Sequence, residues 1–187
     1  MYADGSGFTL QAAMASVTAT IEDNVATDVV ERGFDLTLSN AIVRRNSAVR
    51  CGSGTTEGGG GFWVTGFGFT LESNKASDCN WTAFAVSGMD IVATRCTALR
   101  ASGDGFRIRG ERVSLTNSAA TGCSGEGLDN RGTATVVTGC KFLGNRIDLA
   151  NAVSDGATFA DPAAVVSENK FKTGSTTREP EVDDGSK

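Results

Sequence analysis

From Phe67 to Gly132 the apolar residues return every 22 positions, not every three or four. Residues 67–88, 89–110 and 111–132 are equal in length, and each closes on glycine. Aligned, the third position reads Phe69, Ile91, Val113, with Thr135 in the segment that follows; the fifth reads Leu71, Ala93, Leu115, Val137. The tenth is Ala76, Ala98, Ala120, Phe142, and the eighteenth Phe84, Phe106, Leu128. Alternation of apolar and polar residues around positions 3 and 5, and again around 18 and 20, is the period of a strand with one face buried. A unit this short cannot bury that face alone. Stacked coil on coil it can, with each strand pairing in parallel with its copy in the next coil. The pattern predicts an all-β solenoid.

Upstream the frame recurs through Leu36, Leu38, Val43, Phe62 and Val64 with an insertion at about 49–61, and more weakly through Ile21, Asn24, Val29 and Gly33. Downstream, residues 134–151 read as a shortened coil and 157–174 as an irregular last one. Residues 1–174 thus form one domain, and 175–187 a polar, acidic tail. Asn40 and Asn117 fall at position 7, and Asn24, Asn46 and Asn145 at position 13, where stacked amides can bond along the axis. Glycines at positions 17 and 22 suit left-handed turns. Short strands, turn asparagines and Gly-aromatic pairs together resemble the right-handed parallel β-helix of the pectin-lyase-like superfamily. The resemblance covers residues 7–174 and implies about seven coils of ~22 residues.

Composition narrows the chemistry. The chain has 24 glycines, 2 prolines and no histidine, which excludes His-dependent catalysis and His metal sites. A net charge of −5 offers no basic footprint for nucleic acid. No apolar run approaches the ~18 residues of a membrane span, and Met1–Leu10 has no signal-peptide character. Of the five cysteines, Cys79 and Cys123 share position 13 and Cys96 and Cys140 share position 8. Each pair is two coils apart, ~9.6 Å, beyond the ~7 Å limit for a disulfide. Free thiols filling the coil interior are expected, with Cys51 in the insertion and without a mate.

Function should sit on the outward positions. Position 19 reads Val30, Trp63, Ala85, Arg107, Asp129, and position 21 reads Arg32, Thr65, Ser87, Arg109, Arg131. Flat aromatics (Trp63, Trp81) beside Arg107, Arg109, Asp129 and Arg131 suit a sugar ring and its carboxylate or hydroxyl oxygens. Arg109 and Arg131 stack as like charges, to be compensated internally by Asp129 and Glu111 or externally by an anion. Asp104 and Glu126 share position 16, where two carboxylates can exchange protons or hold Ca²⁺. Arg107, Asp129, Asp104 and Glu126 are therefore the weak catalytic candidates.

Arg107-Ile108-Arg109 is similar to the Arg-Ile-Lys element of polygalacturonases, but the paired aspartates and Gly-His-Gly of that family are absent. Pectate lyases, with an Arg base and Ca²⁺, find only a loose echo in Arg107 with Asp129, Asp104 and Glu126. Epimerase-type repeats bring His and Tyr, whereas the one tyrosine here, Tyr2, is terminal. Gly7-Phe8-Thr9-Leu10 already reads as a strand, so an uncapped first coil is expected, open to a partner or another copy. The expectation is an extracellular or cell- or virion-surface module binding an acidic polysaccharide, without a cofactor. The alternatives are a Ca²⁺-assisted polysaccharide lyase with an Arg base, and a structural module of a tailspike, adhesin or filament.

Overall fold

The computed structural model describes residues 5–12, 18–54, 60–151, 165–167 and 170–171. Among these there is no helix, and the chain winds about six turns of a parallel β-solenoid. Three strand columns run along it. The first holds Phe8–Gln11, Arg32–Ser39, Gly60–Phe67, the start of Thr82–Thr94, Phe106–Ile108, Glu126–Asn130 and Ile147–Asn151. The second holds Thr20–Glu22, Ile42–Arg44, Thr70–Glu72, the end of Thr82–Thr94, Glu111–Thr116, Val136–Thr138 and Val165–Ser167. Thr82–Thr94 spans both columns and joins them into one sheet. The third column, a separate sheet, begins at Val25–Thr27 and ends at Lys170–Phe171.

The interior is built from like residues stacked on like. Phe8, Phe34, Phe62, Phe84 and Phe106 form a continuous pile with ring centroids 4.8, 4.6, 4.8 and 5.0 Å apart and planes within 13°. Coil spacing sets these distances, because rings on in-register parallel strands can only be one strand spacing apart. On the opposite wall Ala26, Ala48, Ala76, Ala98 and Ala120 form a small-residue ladder, closed by Phe142. Of the position-17 glycines, Gly105 faces this ladder and Gly127 faces Asn145. A Cβ on Gly105 would lie 2.4 Å from the Ala120 Cβ, so its role is close approach, not the left-handed turn expected. At position 22 the expectation holds for Gly88, whose φ is 138° and whose added Cβ would lie 1.7 Å from the Gly66 carbonyl oxygen.

The upstream register differs from the one read in the sequence. Leu36 pairs with Val64 and Leu38 with Gly66, so both belong to the first column rather than under Phe69 and Leu71; Val43 is the residue beneath Leu71. Stacked neighbours Asn24 and Asn46 are 22 residues apart, but Asn46 and Asn74 are 28, and the described chain winds about six turns, not the seven expected. The asparagine ladder is real with different members. The backbone N–H and amide of Asn24 donate to Asn46 Oδ1 at 3.0 and 3.1 Å, and those of Asn46 to Asn74 Oδ1 at 2.9 and 3.1 Å. Cys96, Ser118 and Cys140 continue this column, while Asn145 does the same service for Cys123 in the next one. Asn40 stacks against Gly68, and Asn117 lies at a different corner. Residues 55–59 of the insertion and the acidic tail 175–187 lie outside the described residues, as does most of 157–174.

Each coil turns at left-handed corners five residues apart, as at Asp90, Arg95 and Arg100 (φ 56°, 54° and 49°). Such a conformation costs a residue with a Cβ of order 1 kcal/mol. Charge stacking offsets part of it. Arg45 sits on Asp23, Arg50 on Asp28, Arg100 on Asp78 and Arg112 on Asp90, each Arg Nε within 2.8 Å of a carboxylate 22 residues earlier. Hydrogen bonds from these guanidiniums hold the four aspartates below the usual carboxylate range. Much of the chain's charge is thus spent on its corners.

Candidate functional site

The outward residues of the first column are Thr9, Asp35, Trp63, Ala85, Arg107, Asp129 and Ala150. Val30 does not belong there, and Asp35 takes its place below Trp63. Arg32 pairs with Gly60 instead of lying in the column of Thr65 and Ser87. From that position its guanidinium lies 4.1 Å over the Trp63 ring while Nη1 donates to Asp35 at 2.6 Å. Trp63 is accordingly half-buried, capped by a cation rather than left open. Ala85, outward-facing between Trp63 and Arg107, is almost covered.

Trp81 is the opposite case. It sits at the corner leading into Thr82–Thr94, 41% exposed, with a left-handed φ of 64°. Its backbone N–H donates to Ser102 Oγ at 2.8 Å, and its carbonyl accepts the Gly103 N–H at 3.0 Å. Gly103 in turn accepts from Gly125, so the next two coils present bare glycine at this corner. A large indole held in a strained conformation beside a glycine ledge is a costly choice at a position where the next two coils use no side chain.

Beyond the ledge the sheet gathers the remaining candidates. Arg107 Nε and Nη2 donate to Asp104 Oδ2 at 2.9 and 2.6 Å, and Nε lies 3.6 Å from Asp129 Oδ2. Arg131 Nε donates to Asp129 Oδ1 at 3.0 Å. Asp104 and Asp129 are both buried, so their guanidinium partners make up for lost hydration. Arg109 is exposed, with no ion pair among the described residues, and Glu111 pairs with Arg112 instead. The like charges of Arg109 and Arg131 are therefore balanced internally at Arg131, through Asp129.

Asp104 and Glu126 titrate in opposite directions because they lie against each other. Asp104 Oδ1 accepts the Glu126 N–H at 3.0 Å, which brings the two carboxyls together. Burial works against the Asp104 charge, but hydrogen bonds from Glu126 and the Arg107 guanidinium outweigh it and hold its carboxyl below the usual range. The hydrogen bond to Asp104, with burial and the Asp104 charge behind it, pushes Glu126 up to about 7 despite the opposing Arg146, which contacts its carboxyl. Glu126 thus carries the proton and Asp104 the charge.

A carboxyl whose pKa rises on folding adds stability below its unfolded value of about 4.5 and loses it as pH climbs through about 7. Between pH 5 and 8 the native protein should lose about 1–2 kcal/mol, after allowance for solvent screening at this partly open site. In Glu126→Gln that decline should disappear; urea midpoints across the pH range check it, and an equal slope in the variant would refute the raised Glu126 carboxyl.

Sequence reasoning missed Asp35, because the upstream frame was displaced, and Arg146, which approaches Glu126 from a coil one residue short: Ile147 pairs with Glu126 where a 22-residue spacing would put Asp148. Among the described residues no group of three His, Cys, Asp or Glu is placed to hold a metal ion. No protein-family profile matches the chain, no characterised protein has a similar sequence, and no solved structure matches its fold closely enough to compare. What the pectin-lyase-like resemblance and the structure have in common is the parallel β-solenoid itself.

Proposed function

We propose that the first strand column binds a polysaccharide along the solenoid axis, with Trp81 as the aromatic platform. The observation that carries this reading is the exposed, left-handed Trp81 beside the Gly103–Gly125 ledge. Successive coils rise by ~4.8 Å, comparable to the length of one sugar unit, so a glycan running along the axis meets a new coil at each residue. A ring stacked on Trp81 places its neighbours over the ledge and beside Glu126, Arg107 and Asp129. Polar groups there are already paired, which suits hydroxyls, since they both donate and accept. Exposed Arg109 and Arg131, at the far end of the same strands, give this face its preference for a carboxylate-bearing chain wide enough to span the column. Secretion or display at a surface would accompany such a ligand.

A second reading, an enzyme, is favoured by the proton on Glu126, which sits near neutral pH as a general acid requires. Arg107 fits it less well as a base: gripped by Asp104 and facing Asp129, it is arranged for binding rather than for taking a proton.

Retention on affinity gels cast with polygalacturonate, alginate or a neutral glucan separates the readings. Binding without product favours the module, and a rise in unsaturated-uronate absorbance with Ca²⁺ favours a lyase. Arg109→Ala should weaken retention by uronate polymers about tenfold and leave any neutral-glycan binding unchanged; equal retention of variant and parent would remove Arg109 from the site.

A further inference from the structure

Cys51 was expected to stand alone, yet it lies directly beneath Cys79. Asn80 N–H donates to the Cys51 carbonyl at 2.8 Å, which fixes the two turns one coil apart. The sulfurs occupy equivalent places: Cys51 Sγ points at the Ala26 carbonyl (3.5 Å) and Cys79 Sγ at that of Ala48 (3.7 Å), and Ala26 and Ala48 are successive rungs of the alanine ladder. One coil spacing, ~4.8 Å, lies inside the ~4.4–6.8 Å Cα window of a disulfide. The two thiols also act on each other, which lowers the Cys51 thiol and, together with burial, raises that of Cys79. No other cysteines are so placed. Ala101 lies between Cys79 and Cys123, and Ser118 between Cys96 and Cys140.

We propose that Cys51 and Cys79 are an oxidative modification site, closing to an inter-coil disulfide in a thiol–disulfide environment of the secretory kind. The Cys51 thiolate attacks a small-molecule disulfide such as oxidised glutathione, forming a mixed disulfide and expelling one thiolate. Cys79 gives up its proton and attacks the Cys51 sulfur, forming the new S–S bond and expelling the second. Two protein thiols are oxidised, one small disulfide is reduced to two thiols, and nothing else is consumed. Both cysteines are buried, so the reaction belongs to folding or to opening of the turn at Cys51, where Ser53 is already exposed. The bond would close the coil that carries Trp63, and its second anchor lies two residues before Trp81. It would therefore stiffen the corner that presents the indole.

The full chain, reduced and unfolded, is refolded in a glutathione redox buffer and titrated for thiols. Three free thiols are expected, with a mass lower by two hydrogens and a tryptic cross-link joining the Cys51 and Cys79 peptides. The thermal midpoint should stand ~5 °C or more above that of reduced protein, and dithiothreitol should abolish the difference. Cys79→Ala, with Ala101 as precedent one coil on, should keep four free thiols and show no such shift. Five free thiols in the refolded parent, or a bond that involves Cys96, Cys123 or Cys140, would overturn the proposal.

Discussion

Phe84→Ala is expected to destabilise the protein by about 3–5 kcal/mol, the cost of emptying a phenyl site in a packed interior. Phe84 is fully buried, with Phe62 stacked on one side at 4.8 Å and Phe106 on the other at 5.0 Å. The loss therefore breaks two ring contacts, each worth roughly 0.5–1.5 kcal/mol beyond area burial. Coil spacing is fixed by the strand hydrogen bonds, so the flanking rings cannot close over the gap. In a solenoid each coil is supported only by its neighbours, and a cavity in the middle of the pile divides the stack. Unfolding should become broader as well as earlier. Phe67→Ala, which removes an exposed ring in the same column, should change stability by less than about 0.5 kcal/mol. Urea unfolding of the two variants checks the contrast; equal effects would mean that the aromatic pile is not the core.

Trp81→Gly should do the reverse to stability and the most to binding. Glycine relieves the left-handed φ of 64° and matches Gly103 and Gly125 on the neighbouring coils, so the fold should gain up to about 1 kcal/mol, or ~2–4 °C. Removing the platform should cost a bound glycan ~10–100-fold in affinity, since an aromatic anchor at an interface is worth about 2 kcal/mol or more. A residue kept at the expense of stability is the signature of a functional position. Thermal melts and affinity electrophoresis on one preparation measure both. A variant that melts lower and binds equally well would make Trp81 a structural residue.

The division between what the residues revealed and what they concealed follows from period. Inward positions announce themselves: Phe84, Phe106 and Leu128 cannot face water in three consecutive coils, and the 22-residue spacing of the later coils was legible from them. Leu36 and Leu38 misled for the same reason. A period of two is common to every strand of a coil, so an apolar pair fits position 3 and 5 as well as 18 and 20. Only the stacking of Phe34 beneath Phe62 decides, and the 28-residue spacing upstream hid it. Of the candidate site, the convergence of Asp104, Arg107, Glu126 and Asp129 was visible because those coils keep strict register. The Arg32–Trp63 stack and the Arg146 contact were not, since both follow irregular coil lengths. The left-handed corners were concealed differently. Sequence rules assign such turns to glycine and asparagine, and Asn40, Asn117 and Gly139 follow them, whereas Asp and Arg occupy many of the other corners and recover part of the cost by pairing across coils.

The claim that the first strand column is a polysaccharide site is tested most directly by presenting the full chain to an array of plant, algal and bacterial polysaccharides, with Trp81→Gly alongside. The account predicts binding to a subset enriched in uronic acids, lost in the variant. Absence of binding to every polysaccharide, or identical profiles for the two proteins, would contradict it.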